Sequence, residues 1–98
     1  MSVLNAASAE PSLASQPRIG AGMRLQWEPA QGNHVLLYPE GMVKLNRSAG
    51  EILTRCDGQA DLAGITQQLE AAFSASGLRP EVEKFLEIAV TNRWVVLS

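Results

Sequence analysis

The chain is short of the side chains on which most metal sites and covalent enzymes depend. It has one histidine, His34, and one cysteine, Cys56, in 98 residues. A metal site needs several such ligands that converge, and a single cysteine excludes an intramolecular disulfide. Cys56 lies near a predicted helix C-terminus, where the helix dipole raises a thiol pKa and so lowers its reactivity. We therefore expect no catalytic residue, no metal and no cofactor.

Long apolar segments and an excess of basic charge are also absent. No apolar run approaches the ~20 residues that a bilayer-spanning helix requires, and the N-terminus lacks the basic start and apolar core of a secretory signal. The expected location is the cytoplasm, with no membrane partner. The net charge of −2 argues against a nucleic-acid partner, because nucleic-acid-binding domains usually present a basic face.

The carboxylates are not placed for acid–base chemistry. Glu81, Glu83 and Glu87 cluster at the start of a predicted helix, where they favour the helix dipole and face solvent. The glycines do not have the spacing of a phosphate-binding loop. We therefore predict that the protein is not an enzyme.

The chain divides into an N-terminal arm and one small domain. Residues 1–16 are rich in Ala and Ser and contain few large apolar side chains, too few to offset the entropy of ordering. We expect a flexible arm over 1–16, which could order against a second subunit in a homodimer, and a domain over 17–98. Residues 17–22 are predicted to be a linker into that domain.

Three strands are predicted at the start of the domain. Residues 23–28 alternate apolar and polar, which indicates a half-buried strand with Met23, Leu25 and Trp27 on the core face. A Pro-Ala-Gln-Gly-Asn turn joins it to a strand over 34–38. After the Pro-Glu-Gly turn, residues 42–46 form a short third strand.

Three helices follow the strands. Asn46 caps the first helix, or Ser48 does so in a capping box with Glu51, and Gly58 provides the left-handed stop. Asp61 caps a second helix, and Pro80 occupies the first position of a third. A short closing strand or tail is expected over 94–97. The fold class is α+β and winged-helix-like, with an N-terminal three-stranded antiparallel sheet followed by three helices.

The third strand and the third helix suggest a binding module. A short strand at the edge of a sheet offers unpaired N–H and C=O groups to another chain. A cleft between that strand and the third helix would accept an extended peptide, unless the helix simply covers the sheet. The alternative function is a winged-helix nucleic-acid-binding domain, although the second helix has neither Lys nor Arg.

The central run of the chain resembles a known family. Its motifs are Leu36-Leu37, Pro39-Glu40, Leu45-Asn46, Ser48-Ala49, Ile52-Leu53 and Asp57-Gly58. In this order and spacing they resemble the D protein of pyrroloquinoline quinone (PQQ) biosynthesis, a recognition element for ribosomally made precursor peptides. The likeness covers roughly residues 17–97. The chain departs from the family pattern at Trp94, which is bulky where a small residue is usual.

The resemblance implies a non-catalytic peptide chaperone. Such a protein binds a precursor peptide and presents it to a radical S-adenosylmethionine enzyme, which crosslinks a Glu and a Tyr of the peptide. The peptide adds as a strand to the third strand and lies against the third helix. The residues that the resemblance places at the peptide are Met42, Val43, Lys44 and Leu45 on the strand, and Val82, Phe85, Leu86, Ala89 and Arg93 on or just after the helix.

Overall fold

The computed structural model describes residues 15–97. Along the chain, the elements are β1 (Pro17–Ile19), β2 (Arg24–Glu28), β3 (Asn33–Tyr38), β4 (Gly41–Lys44), α1 (Arg47–Thr54), α2 (Leu62–Ala72), α3 (Arg79–Thr91) and β5 (Val95–Leu97). Strands β2, β3 and β4 form one antiparallel sheet in that order. The predicted α+β class, with its three-stranded sheet and three helices, is confirmed. Most of the predicted arm, residues 1–14, lies outside the described residues.

The register of the three-stranded sheet separates a core face from an outer face. Leu25, Leu36 and Val43 lie opposite one another across the three strands. Leu36 is fully buried, and Leu25 and Val43 pack against the same core. Since side chains alternate between faces along a strand, Met42 and Lys44 belong to the outer face.

Trp27 was predicted to lie on the core face of its strand, and it lies on that face without being buried. The side chain is 52% exposed, and its ring makes an edge contact with His34 at a centroid distance of 5.1 Å. Trp27 is on the core-facing side of β2, as the alternation predicts. It lies at the end of the strand next to the turn, and a shallow pocket there is lined by Trp27 together with Arg47 and Glu51 of α1.

The first helix begins where the sequence places its cap. The Asn46 carboxamide oxygen accepts a 2.8 Å hydrogen bond from the Ala49 N–H, so Asn46 and not Ser48 is the N-cap. Glu51, the other member of the alternative capping box, instead pairs with Arg55 at 2.9 Å. The helix ends at Thr54 with Arg55 as its C-cap, earlier than predicted. Gly58 does adopt a positive φ of 80°, but in the loop that follows.

The other two helices pack against α1 and the sheet to form a single core. Asp61 caps α2 through a 2.8 Å bond from the Gly64 N–H, as predicted, whereas α3 begins at Arg79 with Pro80 one position further along than expected. Phe73 lies just after α2 and is 37% exposed. The core side chains with the least exposure are Leu36, Leu53, Leu62, Ile65, Val82, Leu86 and Val95.

Residues 17–22 were predicted to be a linker, and here the prediction is wrong. Pro17–Ile19 forms β1, which pairs antiparallel with β5. The Pro17 carbonyl also accepts a 2.9 Å bond from the Gly58 N–H, and Pro17 is fully buried. A proline is tolerated at the first residue of a strand. The partners of this strand are distant in sequence, so no local alternation marks it.

Candidate functional site

A groove lies between the free edge of β4 and the exposed side of α3. Its volume is about 360 Å³, and its lining is mostly apolar. Within residues 15–97, no strand pairs with the outer edge of β4, since β3 is its one neighbour in the sheet. The residues that line the groove are Val43, Lys44, Leu45, Asn46, Ser48, Ala49, Ile52, Glu81, Lys84, Phe85, Ile88 and Trp94.

The pairing between β3 and β4 determines which backbone groups face the groove. The Leu45 N–H donates to the His34 carbonyl at 3.1 Å, and the register pairs Leu36 with Val43. Hydrogen-bonded and non-hydrogen-bonded pairs alternate in an antiparallel ladder, so Val43 and Leu45 direct their N–H and C=O groups toward β3. The N–H and C=O groups of Met42 and Lys44 therefore point outward, to the open edge.

The side chains of β4 have the opposite arrangement. Val43 and Leu45 face the core and form the base of the groove, and Leu45 is buried. The Met42 side chain is 53% exposed on the outer face of the sheet and does not line the groove. Of the four predicted strand residues, Val43 and Leu45 thus supply apolar side chains. Met42 and Lys44 supply backbone N–H and C=O groups that have no partner strand in the described part of the chain.

Helix α3 presents a different face to the groove from the one predicted. Val82, Leu86 and Ala89 are 0–2% exposed and belong to the core, and none of them lines the groove. Phe85 is half-buried and lines the groove. The predicted helix contacts are corrected accordingly: of the four within α3, Phe85 alone reaches the groove.

Three groove residues of α3 were missed from the sequence. Glu81, Lys84 and Ile88 line the groove, and Ile88 is 45% exposed. Together with Phe85 they recur at spacings of three and four, which places them on one helical face. These residues form a second stripe, displaced by one position along the sequence from the core stripe. The spacing would have identified the second stripe if the apolar residues of α3 had been assigned to two faces of the helix instead of one.

Trp94 lines the groove beside Phe85. The Trp94 ring tilts against the Phe85 ring with centroids 6.4 Å apart, so the bulky residue that departs from the family pattern packs against the middle of the groove wall. Arg93 is exposed in the turn after α3 with a φ of 62°. It does not line the groove, although it was predicted to contact a peptide.

Reactive groups are not gathered at this groove. Burial raises the pKa of the Cys56 thiol to about 12, with a smaller contribution from the nearby Asp57 carboxylate, and the thiol donates to the Ile52 carbonyl at 3.3 Å. Among residues 15–97, no three His, Cys, Asp or Glu side chains are close enough to hold a metal ion. Over the same residues, no helix has the length and apolarity needed to cross a membrane. The groove therefore offers shape, apolar surface and backbone hydrogen-bonding groups.

The chain is similar to proteins of known description. A "PqqA binding protein" of Pseudomonas aeruginosa is 51% identical over 89 residues, which cover 90% of this chain and 97% of that protein. One of the same description from Methylococcus capsulatus is 49% identical over 73 residues, covering 74% of this chain and 78% of that protein.

A solved structure has the same fold. It is the PqqD truncation of Methylobacterium extorquens PqqCD, described as a functional, stand-alone RiPP recognition element. It matches with a TM-score of 0.70 at 26% identity and covers 90% of this chain and 96% of that one. The model of the family "Coenzyme PQQ synthesis protein D (PqqD)" matches residues 33–95, and this chain belongs to that family.

Proposed function

We propose that this protein is a non-catalytic carrier that binds the precursor peptide PqqA as an added strand on β4. The single observation that carries the proposal is the pair of outward-facing backbone sites at Met42 and Lys44, beside an apolar groove. Strand addition uses such groups for affinity and neighbouring pockets for selectivity. The relatives described as PqqA binding proteins support PqqA as the guest.

The peptide would lie with alternate side chains against the groove. Those that point inward would meet Val43, Phe85 and Ile88, and those that point outward would stay in solvent. Glu81 and Lys84 lie among the groove-lining residues, so they would distinguish peptides by charge more than by size. This arrangement uses no reactive group of the protein.

Lys44→Pro tests the proposal directly. Proline lacks an N–H, and at position 44 the missing group is one that faces the open edge, where proline is tolerated. Loss of one hydrogen bond of ~1–1.5 kcal/mol should weaken binding of synthetic PqqA about tenfold. Lys44→Ala is the matched control, because it removes the charged side chain and keeps the N–H. Calorimetry that gives equal affinities for the two variants would rule out strand addition at this position.

Val43→Pro would be a poor test of the same idea. The Val43 N–H faces Leu36 inside the sheet, so its loss should lower the free energy of unfolding as well as the affinity. Urea denaturation of the two proline variants should separate these effects, with Lys44→Pro retaining nearly the stability of Lys44→Ala.

We further propose that the loaded protein presents PqqA to a radical S-adenosylmethionine enzyme in the cytoplasm. A groove on one side of the molecule leaves the outer face of the sheet and the β1–β5 sheet available to that enzyme. Gel filtration of the protein, PqqA and the enzyme should show a ternary complex. If the protein and the enzyme co-elute equally well without PqqA, or with the Lys44→Pro variant, the peptide is not presented from the groove.

A further inference from the structure

A second apolar cavity opens beside the groove, between the start of α1, the end of α2 and the start of α3. Its volume is about 270 Å³. Ile52, Leu69 and Val82 form its buried floor, and charged or polar groups lie at its mouth. The full lining is Arg47, Ser48, Glu51, Ile52, Leu69, Phe73, Ala75, Leu78, Glu81 and Val82.

One wall of this cavity is held in place by a cation–π contact. The Arg47 guanidinium lies 5.1 Å from the centroid of the Phe73 ring, a distance at which the two attract. The loop after α2 is fixed as well, because the Glu70 carboxylate accepts a 3.0 Å bond from the Leu78 N–H. The cavity is therefore built by anchored side chains on three helices and a tethered loop.

The cavity and the groove adjoin each other. Ser48, Ile52 and Glu81 line both of them, so the two share these three residues along their boundary. The junction lies beyond the Asn46 end of β4, where the strand has given way to α1. A chain that runs along β4 and leaves the sheet at this end therefore comes close to the residues that the two sites share.

We propose that this cavity binds one large apolar side chain of the same peptide, from a residue just beyond the segment that pairs with β4. The proposal rests on the peptide-binding function above. The apolar floor selects an aliphatic or aromatic side chain, because a polar one would lose its hydration without a buried partner. The cavity then serves as an anchor that fixes the register of the peptide along the edge of β4.

Filling the cavity tests this inference. Ala75 lines the cavity and lies in an exposed part of the loop, so Ala75→Trp adds a large side chain there and keeps the Ala75 N–H that bonds to the Glu70 carbonyl. Ala63→Trp, on an exposed position of α2 outside the cavity, is the matched control. Calorimetry with synthetic PqqA should show at least a tenfold loss of affinity for Ala75→Trp and little change for the control.

The peptide itself identifies the anchor. Alanine substitutions at each apolar residue of PqqA should include one that weakens binding to the wild-type protein tenfold and hardly weakens binding to Ala75→Trp, which is the coupling expected of groups in contact. Phe73→Ala, which removes an exposed wall, should reduce the effect of the same peptide substitution. It provides a second test if Ala75→Trp does not fold by circular dichroism.

The outcomes separate this inference from the function on which it rests. If Lys44→Pro weakens binding but Ala75→Trp and Phe73→Ala do not, the peptide pairs with β4 and the cavity is not its anchor. The anchor would also be contradicted if the loss of affinity from Ala75→Trp and the loss from each PqqA substitution simply added together. A change in sedimentation mass on filling the cavity would mean that its occupant is a second copy of the chain.

Discussion

Cys56 shows how burial suppresses the ionisation of a thiol, and with it the reactivity of the side chain. Its thiol lies in the core next to the end of α1 and donates to the Ile52 carbonyl. Burial and the Asp57 carboxylate raise its pKa from 9.0 to about 12. The folded protein therefore keeps the thiol neutral under conditions in which the unfolded chain ionises.

This difference predicts a specific pH dependence of stability. Between pH 9 and 12 the unfolded chain releases the thiol proton and the folded chain retains it, so the free energy of unfolding falls as pH rises. With a pKa of 9.0 in the unfolded chain, the loss from this group between pH 8 and pH 10 should be about 1.4 kcal/mol. Urea denaturation of the wild type and Cys56→Ala at both pH values isolates the contribution. Parallel losses in the two proteins would contradict it.

At the same scale, the sequence predicts whether a residue belongs to a strand or a helix better than it predicts whether its side chain is buried or exposed. The apolar spacing on α3 identified Val82, Phe85, Leu86 and Ala89 correctly as one side of a helix. It did not reveal that three of them are buried in the core, whereas Phe85 lies beside Ile88 in a groove. That division depends on where β4 ends relative to α3, and this is set by packing between elements remote in sequence.

At the scale of the secondary-structure elements, two N-caps have the same geometry and different surroundings. Asn46 and Asp61 each accept a 2.8 Å bond from a backbone N–H three residues later. Replacing either by alanine should lower the free energy of unfolding by ~1 kcal/mol. Asn46 also lines the groove, whereas Asp61 does not.

We therefore expect alanine substitutions at the two caps to have similar effects on stability and different effects on peptide binding. Asn46→Ala should weaken PqqA binding beyond its effect on folding, because the cap fixes the point at which β4 turns into α1. Asp61→Ala is the control that loses similar stability and keeps its affinity. Equal affinities in calorimetry at a temperature where both variants are fully folded would show that the cap has no part in binding.

The elements themselves were largely predictable, and the exceptions have a common physical cause. Alternation predicted β2, the turn that follows it indicated β3, and side-chain caps predicted the starts of α1 and α2, because these signals lie within a few residues of one another. Strand β1 has no such signal. Its pairing with Val95–Leu97 and the bond from Gly58 come from segments far along the chain.

At the scale of the whole molecule, the β1–β5 sheet ties the two ends of the domain together. The Gly20 N–H donates to the Trp94 carbonyl at 2.9 Å, and the register pairs Ile19 with Val95. By alternation, Ile19 and Val95 form a non-hydrogen-bonded pair, whose Cα atoms are ~4.5 Å apart. A disulfide accommodates such a separation.

Joining these two positions should stabilise the whole domain. Ile19→Cys combined with Val95→Cys closes a loop that contains every other element, and oxidation should raise the free energy of unfolding by roughly 2–4 kcal/mol relative to the reduced form. The reduced double variant is the control, since it carries the same side-chain losses. Coincident urea denaturation curves for the two forms would contradict the predicted stabilisation.

Strand β4 is only four residues long, and this brevity has a consequence for solubility. Two outward-facing residues with one donor and one acceptor each give at most four backbone hydrogen bonds, by 2 × 2. So few bonds, beside the charged Lys44, disfavour edge-to-edge pairing between copies and the growth of cross-β aggregates. The open edge is long enough to bind a guest that also has side chains to place in the groove, and too short to bind indiscriminately.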